Sequence, residues 1–483
     1  MNLCNINHSF NYELEKLCRI FLPYEKIAVI NEIAEDDIFA VSKLEDRTCS
    51  VTLNFLGKSF SETLVSPDDT AKEKELTLAT ALFNCFVQAT DYRSEWGLLT
   101  GVRPAKLFSR LIKTVGVGGA EDYFKNRLLV SGEKTSLCKE TAVSEEKIIA
   151  KNSKNSFSLY ISIPFCPSRC SYCSFVSHSV DKAGKLIDSY VELLCEEIKE
   201  TGIIAREQNL KLETVYIGGG TPVAISAAQI AQIMAAVKEN FDLTEISEYT
   251  VEAGRPDAID KDKLLAIKRG GATRISVNPQ TMNNAVLREI GRNHTAQQTV
   301  EAMALARQVG FDNINMDLIA GLPTDTPESF KNTLHALLEL NPESITVHSL
   351  SVKRASNISR ENTLPEIETG KAASEMVRYA RKTLSEKGIL PYYMYRQSKT
   401  VGNLENVGYA KKGYEGLYNV YIMDETHTIL ACGASAVTKL REPGGDYIER
   451  IFNFKYPYEY ISRFSEIIAR KKGICEFFKN YPI

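Results

Sequence analysis

The stretch whose reading decides the fold is Tyr160-Ile161-Ser162-Ile163-Pro164-Phe165-Cys166-Pro167-Ser168-Arg169-Cys170-Ser171-Tyr172-Cys173-Ser174-Phe175. Its apolar start reads as a buried strand that ends at Pro164 and gives way to a loop. The loop carries Cys166, Cys170 and Cys173 in the spacing Cys-x3-Cys-x2-Cys. Three thiolates on so short a loop can hold three corners of an iron–sulfur cube and leave the fourth iron open for chemistry. A structural zinc site is the alternative, but zinc in that role wants four closed ligands, usually with a second knuckle. No second Cys-x2-Cys occurs; the nearest further donors are His178 and Cys195, and Cys195 sits inside an apolar helical pattern. Tyr172, between the last two cysteines, supplies a ring that can shield such a cluster from water.

Working outward, 483 residues with 44% hydrophobic content can bury large cores and make two or three domains. A formal net charge of -3 gives no pull towards nucleic acid or an anionic membrane. The N-terminus has neither a basic start nor an apolar core, and no uncharged apolar run reaches the ~20 residues of a membrane span. The eight cysteines outside the loop (Cys4, Cys18, Cys49, Cys85, Cys138, Cys195, Cys432, Cys475) are scattered packing residues rather than a disulfide frame. The expected location is the cytosol.

Upstream, residues 1–150 read as a separate α+β domain: a strand pair over 39–56 broken at Glu45-Asp46-Arg47, then a helix over 72–89. The only tryptophan opens Trp96-Gly97-Leu98-Leu99-Thr100-Gly101-Val102-Arg103-Pro104-Ala105-Lys106-Leu107. That segment reads as a helix start, with Thr100 as cap, Pro104 in the first turn and Lys106 in solvent. The competing reading is a loop in which Arg103 and Lys106 receive a carboxylate beside the ring. Residues 133–156 are rich in Lys, Glu, Ser and Asn and read as a linker, placed at 151–156 once the domains are drawn.

Downstream, strand-like runs at 159–163, 214–217, 248–252, 274–277, 314–319 and 344–347 alternate with helical patterns at 185–207, 227–240, 261–268, 295–309, 328–340 and 371–387. Six such units predict parallel strands with right-handed crossovers, curved into a partial (β/α)6 barrel over 157–390, with 391–483 as a C-terminal extension. Ligands then belong at the carboxyl ends of the strands. Polar oddities do fall there: the cysteine loop, Gly218-Gly219-Gly220-Thr221-Pro222, Glu252, Asn278-Pro279-Gln280 and Asp317. A lone histidine such as His348 reads as a packed strand residue.

Together with Val251-Glu252-Ala253 and Asp317-Leu318-Ile319-x-Gly321-Leu322-Pro323, these motifs resemble the radical S-adenosylmethionine superfamily, and within it the oxygen-independent coproporphyrinogen III dehydrogenase group. Leu98–Leu107, residues 347–356, Arg396-Gln397 and 402–409 are similar to its HemZ-type branch. The resemblance covers about 155–355 well and continues more loosely to the C-terminus. It implies a 4Fe–4S cluster on Cys166, Cys170 and Cys173. It implies S-adenosylmethionine held by Tyr160, Gly219, Gly220, Thr221 and Glu252. Tyr172, Gln280, Arg292 and Asp317 match positions lining the neighbouring space, which in the dehydrogenases takes a second such molecule, and Ser351 and Val437 occupy two further matching positions. The activity implied is radical oxidative decarboxylation of porphyrinogen propionates to vinyls in haem biosynthesis. It calls for an electron donor such as flavodoxin or ferredoxin and for no general base or nucleophile. Two departures keep alternatives open. Phe175 stands where the dehydrogenases carry a fourth cysteine, and the Tyr-Cys-Ser-Phe ending is closer to haem-trafficking relatives, whose C-terminal histidine motif is nevertheless missing here. The alternatives are a haem-binding, haem-trafficking protein and a radical enzyme acting on haem.

Overall fold

The computed structural model describes residues 1–30, 36–173, 177–352 and 364–483. Phe175 and the 353–356 part of the HemZ-like stretch lie outside them. The chain forms two compact units. The first centres on Met1–Ala142 and takes in Tyr395–Glu405; the second holds most of the rest, including Glu375–Met394 and Asn406–Ile483.

In the first unit, β1 (Asn2–Ile6), β2 (Ala28–Ile30), β3 (Ile38–Glu45), β4 (Thr48–Phe55) and β5 (Lys58–Val65) form one sheet in the order β2-β1-β3-β4-β5. The predicted strand pair is β3–β4, turning at Asp46 with φ 52°. Alternate residues of β4, namely Cys49, Val51 and Leu53, are fully buried, so one face of the sheet meets helices α1 (Asn11–Phe21) and α2 (Ala71–Thr90). Phe21 stacks on Phe86 of α2 with ring centroids 4.7 Å apart. The Thr70 side chain caps α2 by accepting the Glu73 N–H at 3.3 Å.

Two expectations fail in this unit. Helix α3 (Pro104–Asp122) starts on Pro104, as expected, but its flanking residue is Arg103 and not Thr100. Lys106 is only half-exposed. The Trp96 ring is fully buried, donates Nε1–H to Glu405 at 2.8 Å and carries the Arg396 guanidinium 5.0 Å from its centroid. Arg396, not Arg103, is therefore the cation on this ring. Residues 133–149, read as linker, belong to helix α4 (Gly132–Ile149). Its buried stripe mixes Leu137, Cys138 and Ala142 with Lys134, Thr141 and Glu145, which hides the helical period in a polar composition. Lys134 is tolerated inside because it pairs with Glu405 at 2.7 Å and Glu95 at 3.3 Å.

In the second unit, the chain alternates strands and helices: β6 (Ser156–Ile163), the short pair β7 (Phe165–Cys166) and β8 (His178–Ser179), α5 (Val180–Ala183), α6 (Ile187–Glu207), β9 (Lys211–Gly219), α7 (Ala227–Asn240), β10 (Glu248–Gly254), α8 (Lys261–Arg269), β11 (Arg274–Val277), α9 (Asn284–Glu289), α10 (Ala296–Val309), β12 (Ile314–Ala320), α11 (Pro327–Glu339) and β13 (Ser344–Ser349). There follow α12 (Leu364–Glu386), β14 (Leu390–Arg396), β15 (Glu405–Ala410), α13 (Leu417–Asp424), β16 (Thr428–Cys432), β17 (Val437–Arg441), β18 (Ile448–Phe452), α14 (Pro457–Ser462) and α15 (Phe464–Asn480). All but β7 and β8 of these strands join one sheet, in the order β14-β15-β13-β12-β11-β10-β9-β6-β16-β17-β18.

The six predicted strands are the six parallel ones from β6 to β13. The C-terminal region adds a seventh, β16, parallel to β6. It thereby places the loop after β16 beside the carboxyl end of β6, where the cysteine loop begins. Outward residues such as Val215, Ile217, Val251, Ile275, Met316 and Ile345 are buried and apolar. The inner positions instead read Thr214-x-Tyr216-x-Gly218, Glu248-x-Thr250-x-Glu252, Arg274-x-Ser276, Asn315-x-Asp317 and Ser344-x-Thr346-x-His348. Parallel strands covered on both faces are normally apolar throughout. Here Asp317 is no isolated interruption; it belongs to a polar inner face.

Candidate functional site

The floor of the barrel is closed by polar groups that satisfy one another. Glu248 accepts the N–H groups of Leu417 and Tyr418 at 2.7 and 3.3 Å, at the start of α13. Arg274 donates to Ser344 Oγ at 2.9 Å and to the Tyr414 carbonyl at 3.1 Å. Above this floor the accounting changes. Buried Thr250 Oγ1, Ser276 Oγ, Asn278 Oδ1 and Gln280 Oε1 have no hydrogen-bond partner among the described residues. Buried polar atoms are rarely left so. Their concentration between mid-barrel and mouth marks a space built for a polar ligand.

Four groupings line that mouth. In the first, Thr221 Oγ1 lies 3.5 Å from Cys166 Sγ. Gly220 and Thr221 donate backbone N–H bonds to Ile163 and Phe165 at 2.8 Å, pinning the glycine turn to the cysteine loop. A Cβ on Gly220 would stand 2.5 Å from the Phe165 carbonyl and 3.0 Å from Cys166 Sγ, and Gly219 has φ +112°. Only glycine fits this approach. The loop is also held by Ser171 N–H on the Ile290 carbonyl at 3.0 Å, and by Arg255, which bonds both the carbonyl and hydroxyl of Ser168. Asp257 fixes that guanidinium through two bonds of 2.9 and 2.6 Å. Cys166 and Cys170 are buried and Cys173 half-buried.

The second grouping centres on Glu252. Tyr216 donates to its Oε1 at 2.5 Å, and the absent Cβ of Gly218 leaves room for the carboxyl. Tyr160 and Tyr418 stack with Tyr216, with centroids 6.3 and 4.5 Å from it. Burial pushes the Glu252 carboxyl up to about 7, with Tyr216 pulling it down and Asp317 adding to the rise. In the third, Asp317 accepts from Asn315 Nδ2 at 2.7 Å and lies 3.8 Å from His348 Nε2. Burial raises Asp317, but His348 and the hydrogen bonds from Asn315 and Thr346 outweigh it and hold the carboxyl below its usual value. Gln280 crosses to the same place: at φ 69° it exchanges backbone hydrogen bonds with Asp317 and Ile319 at 3.0 and 3.1 Å. In the fourth, Arg292 donates to the Tyr172 hydroxyl at 2.9 and 3.2 Å and to the Asn278 carbonyl at 3.0 Å.

Ser351 follows the carboxyl end of β13, and Val437 opens β17 just past the turn after β16. The structure thus brings Cys166 to Thr221, Tyr172 to Arg292, Gln280 to Asp317 and Glu252 to Gly218. Ser351 and Val437 stand at the rim. Sequence reading missed Tyr216 and Tyr418, took His348 for a packed strand residue and gave Arg255 no role. The alternation of β13 held the signal for His348, since Ser344, Thr346 and His348 share one face.

A cluster and its cofactor fit these residues. Among the described residues no three His, Cys, Asp or Glu side chains converge as ligands of a single metal ion. The thiolates of a cubane each sit on a different iron, so they stand further apart. The orphaned acceptors suit a ligand rich in N–H and O–H donors. Residues 160–337 match the profile of the Radical SAM superfamily. Over 470 residues, 95% of this chain and 94% of its relative, the sequence is 34% identical to the oxygen-independent coproporphyrinogen-III oxidase-like protein HemZ of Bacillus subtilis. The chain belongs to the radical SAM superfamily, in its HemN/HemZ-type group. Membership brings a 4Fe–4S cluster and S-adenosylmethionine. The haem chaperone HemW of Lactococcus lactis is 34% identical over 282 residues, 58% of this chain and 69% of that protein. The oxygen-independent coproporphyrinogen III oxidase of Escherichia coli is 33% identical over 199 residues, 41% of this chain and 43% of that protein. The solved structure of coproporphyrinogen III oxidase HemN from Escherichia coli shares the fold, with a TM-score of 0.50 and 23% identity over 68% of this chain and 73% of that one.

Proposed function

We propose that this radical SAM protein is an oxygen-independent coproporphyrinogen III dehydrogenase. In the proposed reaction a propionate side chain loses a hydrogen atom, carbon dioxide and one electron to an acceptor, and becomes a vinyl group. When bound, the cluster and S-adenosylmethionine supply one-electron cleavage of the sulfonium and abstraction of the hydrogen atom. The chain's own residues orient and exclude water. Cys166, Cys170 and Cys173 hold the cluster. Tyr160, Gly219, Gly220, Thr221 and Glu252 hold one S-adenosylmethionine, Tyr172, Gln280, Arg292 and Asp317 line space for a second, and Ser351 and Val437 occupy two further cofactor-binding positions. Flavodoxin or ferredoxin supplies the electron in the cytosol.

The observation that carries the reading is the likeness to HemZ along almost the whole chain. The test is anaerobic: the reconstituted, reduced protein receives S-adenosylmethionine and coproporphyrinogen III. Substrate-dependent 5′-deoxyadenosine, carbon dioxide and protoporphyrinogen IX are expected. A second reading, haem trafficking, is favoured by the HemW likeness. Tight haem binding with no decarboxylated product would select it.

A further inference from the structure

His348 is the mouth residue that the cofactor assignments above leave without a role. Its two ring nitrogens are told apart by Asn406. Asn406 Oδ1 accepts the Ser349 backbone N–H at 3.1 Å, which identifies that atom as the acceptor oxygen. The same oxygen lies 3.3 Å from His348 Nδ1, so Nδ1 carries a hydrogen. Proton gain and loss then occur at Nε2, which lies 3.8 Å from Asp317 Oδ2. That is ion-pair distance but too long for a direct hydrogen bond. Asn315 donates to Asp317 Oδ1, while Oδ2 is the oxygen that faces Nε2. The His348 side chain is 28% exposed and that of Asp317 18%, so a ligand can reach both.

The titratable group at close range to His348 is Asp317 from β12, 3.8 Å away; Glu252 of β10, which accepts from Tyr216 of β9, adds a weaker electrostatic pull. β15 presents only Asn406, and β14 brings the Tyr393 ring over Gly408 of β15. We propose that His348 is a positioning residue of the cofactor site, whose imidazolium stands at ion-pair distance from Asp317 and holds that carboxylate in place as an acceptor for the ligand's hydroxyl and ammonium groups. The inference rests on reading this mouth as the S-adenosylmethionine site. Burial lowers the His348 pKa, but Asp317, Asn406 and Glu252 outweigh it and hold the imidazole above its usual value. Acting in the other direction, His348 pulls both carboxyls down.

The test is the dissociation constant of S-adenosylmethionine on the anaerobic, cluster-loaded protein, measured by calorimetry from pH 6 to 9. In the wild type, affinity rises as Glu252 ionises near about 7 and falls again as His348 loses its proton. His348→Gln keeps an N–H for Asn406 but no charge. It is expected to bind roughly several-fold more weakly at pH 7 and to show no falling limb. His348→Lys, with a charge that persists above pH 9, is expected to bind close to wild type at pH 7 and to lose the falling limb. A fall of the same size in wild type and both variants would overturn the inference, because the ligand's own amino group would then account for it. A His348→Gln profile parallel to wild type, however weak the binding, would overturn the inference and leave the site reading intact. Absence of binding by the wild type at every pH would overturn the site reading and this inference together.

Discussion

Two clusters of charge in the second unit have opposite accounting. Glu197 of α6 is fully buried, and its two oxygens accept four donors: Gly433 N–H at 2.7 Å, Tyr460 OH at 2.6 Å, Asn453 Nδ2 at 2.8 Å and Lys471 Nζ at 3.0 Å. Lys471 also donates to the Ala431 carbonyl at 3.0 Å. One carboxylate so ties α6, the turn after β16, α14 and α15 together. Glu252 at the barrel mouth has a single described side-chain donor, Tyr216, and a carboxyl neighbour in Asp317. A buried charge with every lone pair engaged holds the fold; one left half-engaged has been left room for a ligand.

Breaking the saturated cluster gives the largest stability effect. Lys471→Met strands Glu197 in the core and is expected to cost about 3–5 kcal/mol in chemical denaturation. The pair Glu197→Gln with Lys471→Met is expected to cost less than that single change, because it strands no charge. Equal losses would show that packing, not charge pairing, holds α15 in place.

Glu252→Gln reverses the pattern. It is expected to weaken S-adenosylmethionine binding by roughly 10- to 100-fold, the worth of one charge-assisted hydrogen bond. It should not destabilise the protein. The sign of its pH dependence follows from a raised carboxyl: between the unfolded value near 4.5 and about 7 the folded state holds the extra proton. The wild type therefore loses stability relative to Glu252→Gln as pH rises through that window, and the gap stays constant above it. A variant destabilised at pH 8 would place Glu252 with Glu197 as a structural charge. The smallest effect belongs to Tyr216→Phe, which removes the one donor that lowers Glu252. Binding at pH 7 is expected to weaken a few-fold (about one hydrogen bond's worth) and to recover towards wild type at pH 8.5.

Much of this was legible in the sequence, for a physical reason. The outward faces of β6 to β13 are apolar because helices cover them, so each strand announces itself, and Cys166, Cys170 and Cys173 lie on one loop. What stayed hidden depends on distant pairing. Lys134 and Glu145 are buried in α4 among groups that no local pattern reveals, so a helix read as a linker. β16 joins β6 across some 270 residues, and no periodicity announces a partner. His348 looked like packing because its role comes from Asp317 and Asn406, on other strands. Glu197 gave no sign either, inside a helix of ordinary period.

The most direct test of the central claim, that the cysteine loop and the half-engaged mouth form one open-iron cofactor site, is electron paramagnetic resonance of the reconstituted, reduced protein. The expected result is a 4Fe–4S signal whose g-values shift on adding S-adenosylmethionine, no such signal in Cys170→Ala, and a shift in Glu252→Gln only at higher cofactor concentration. A protein that loads no iron, or a cluster signal that S-adenosylmethionine leaves unchanged, would contradict it.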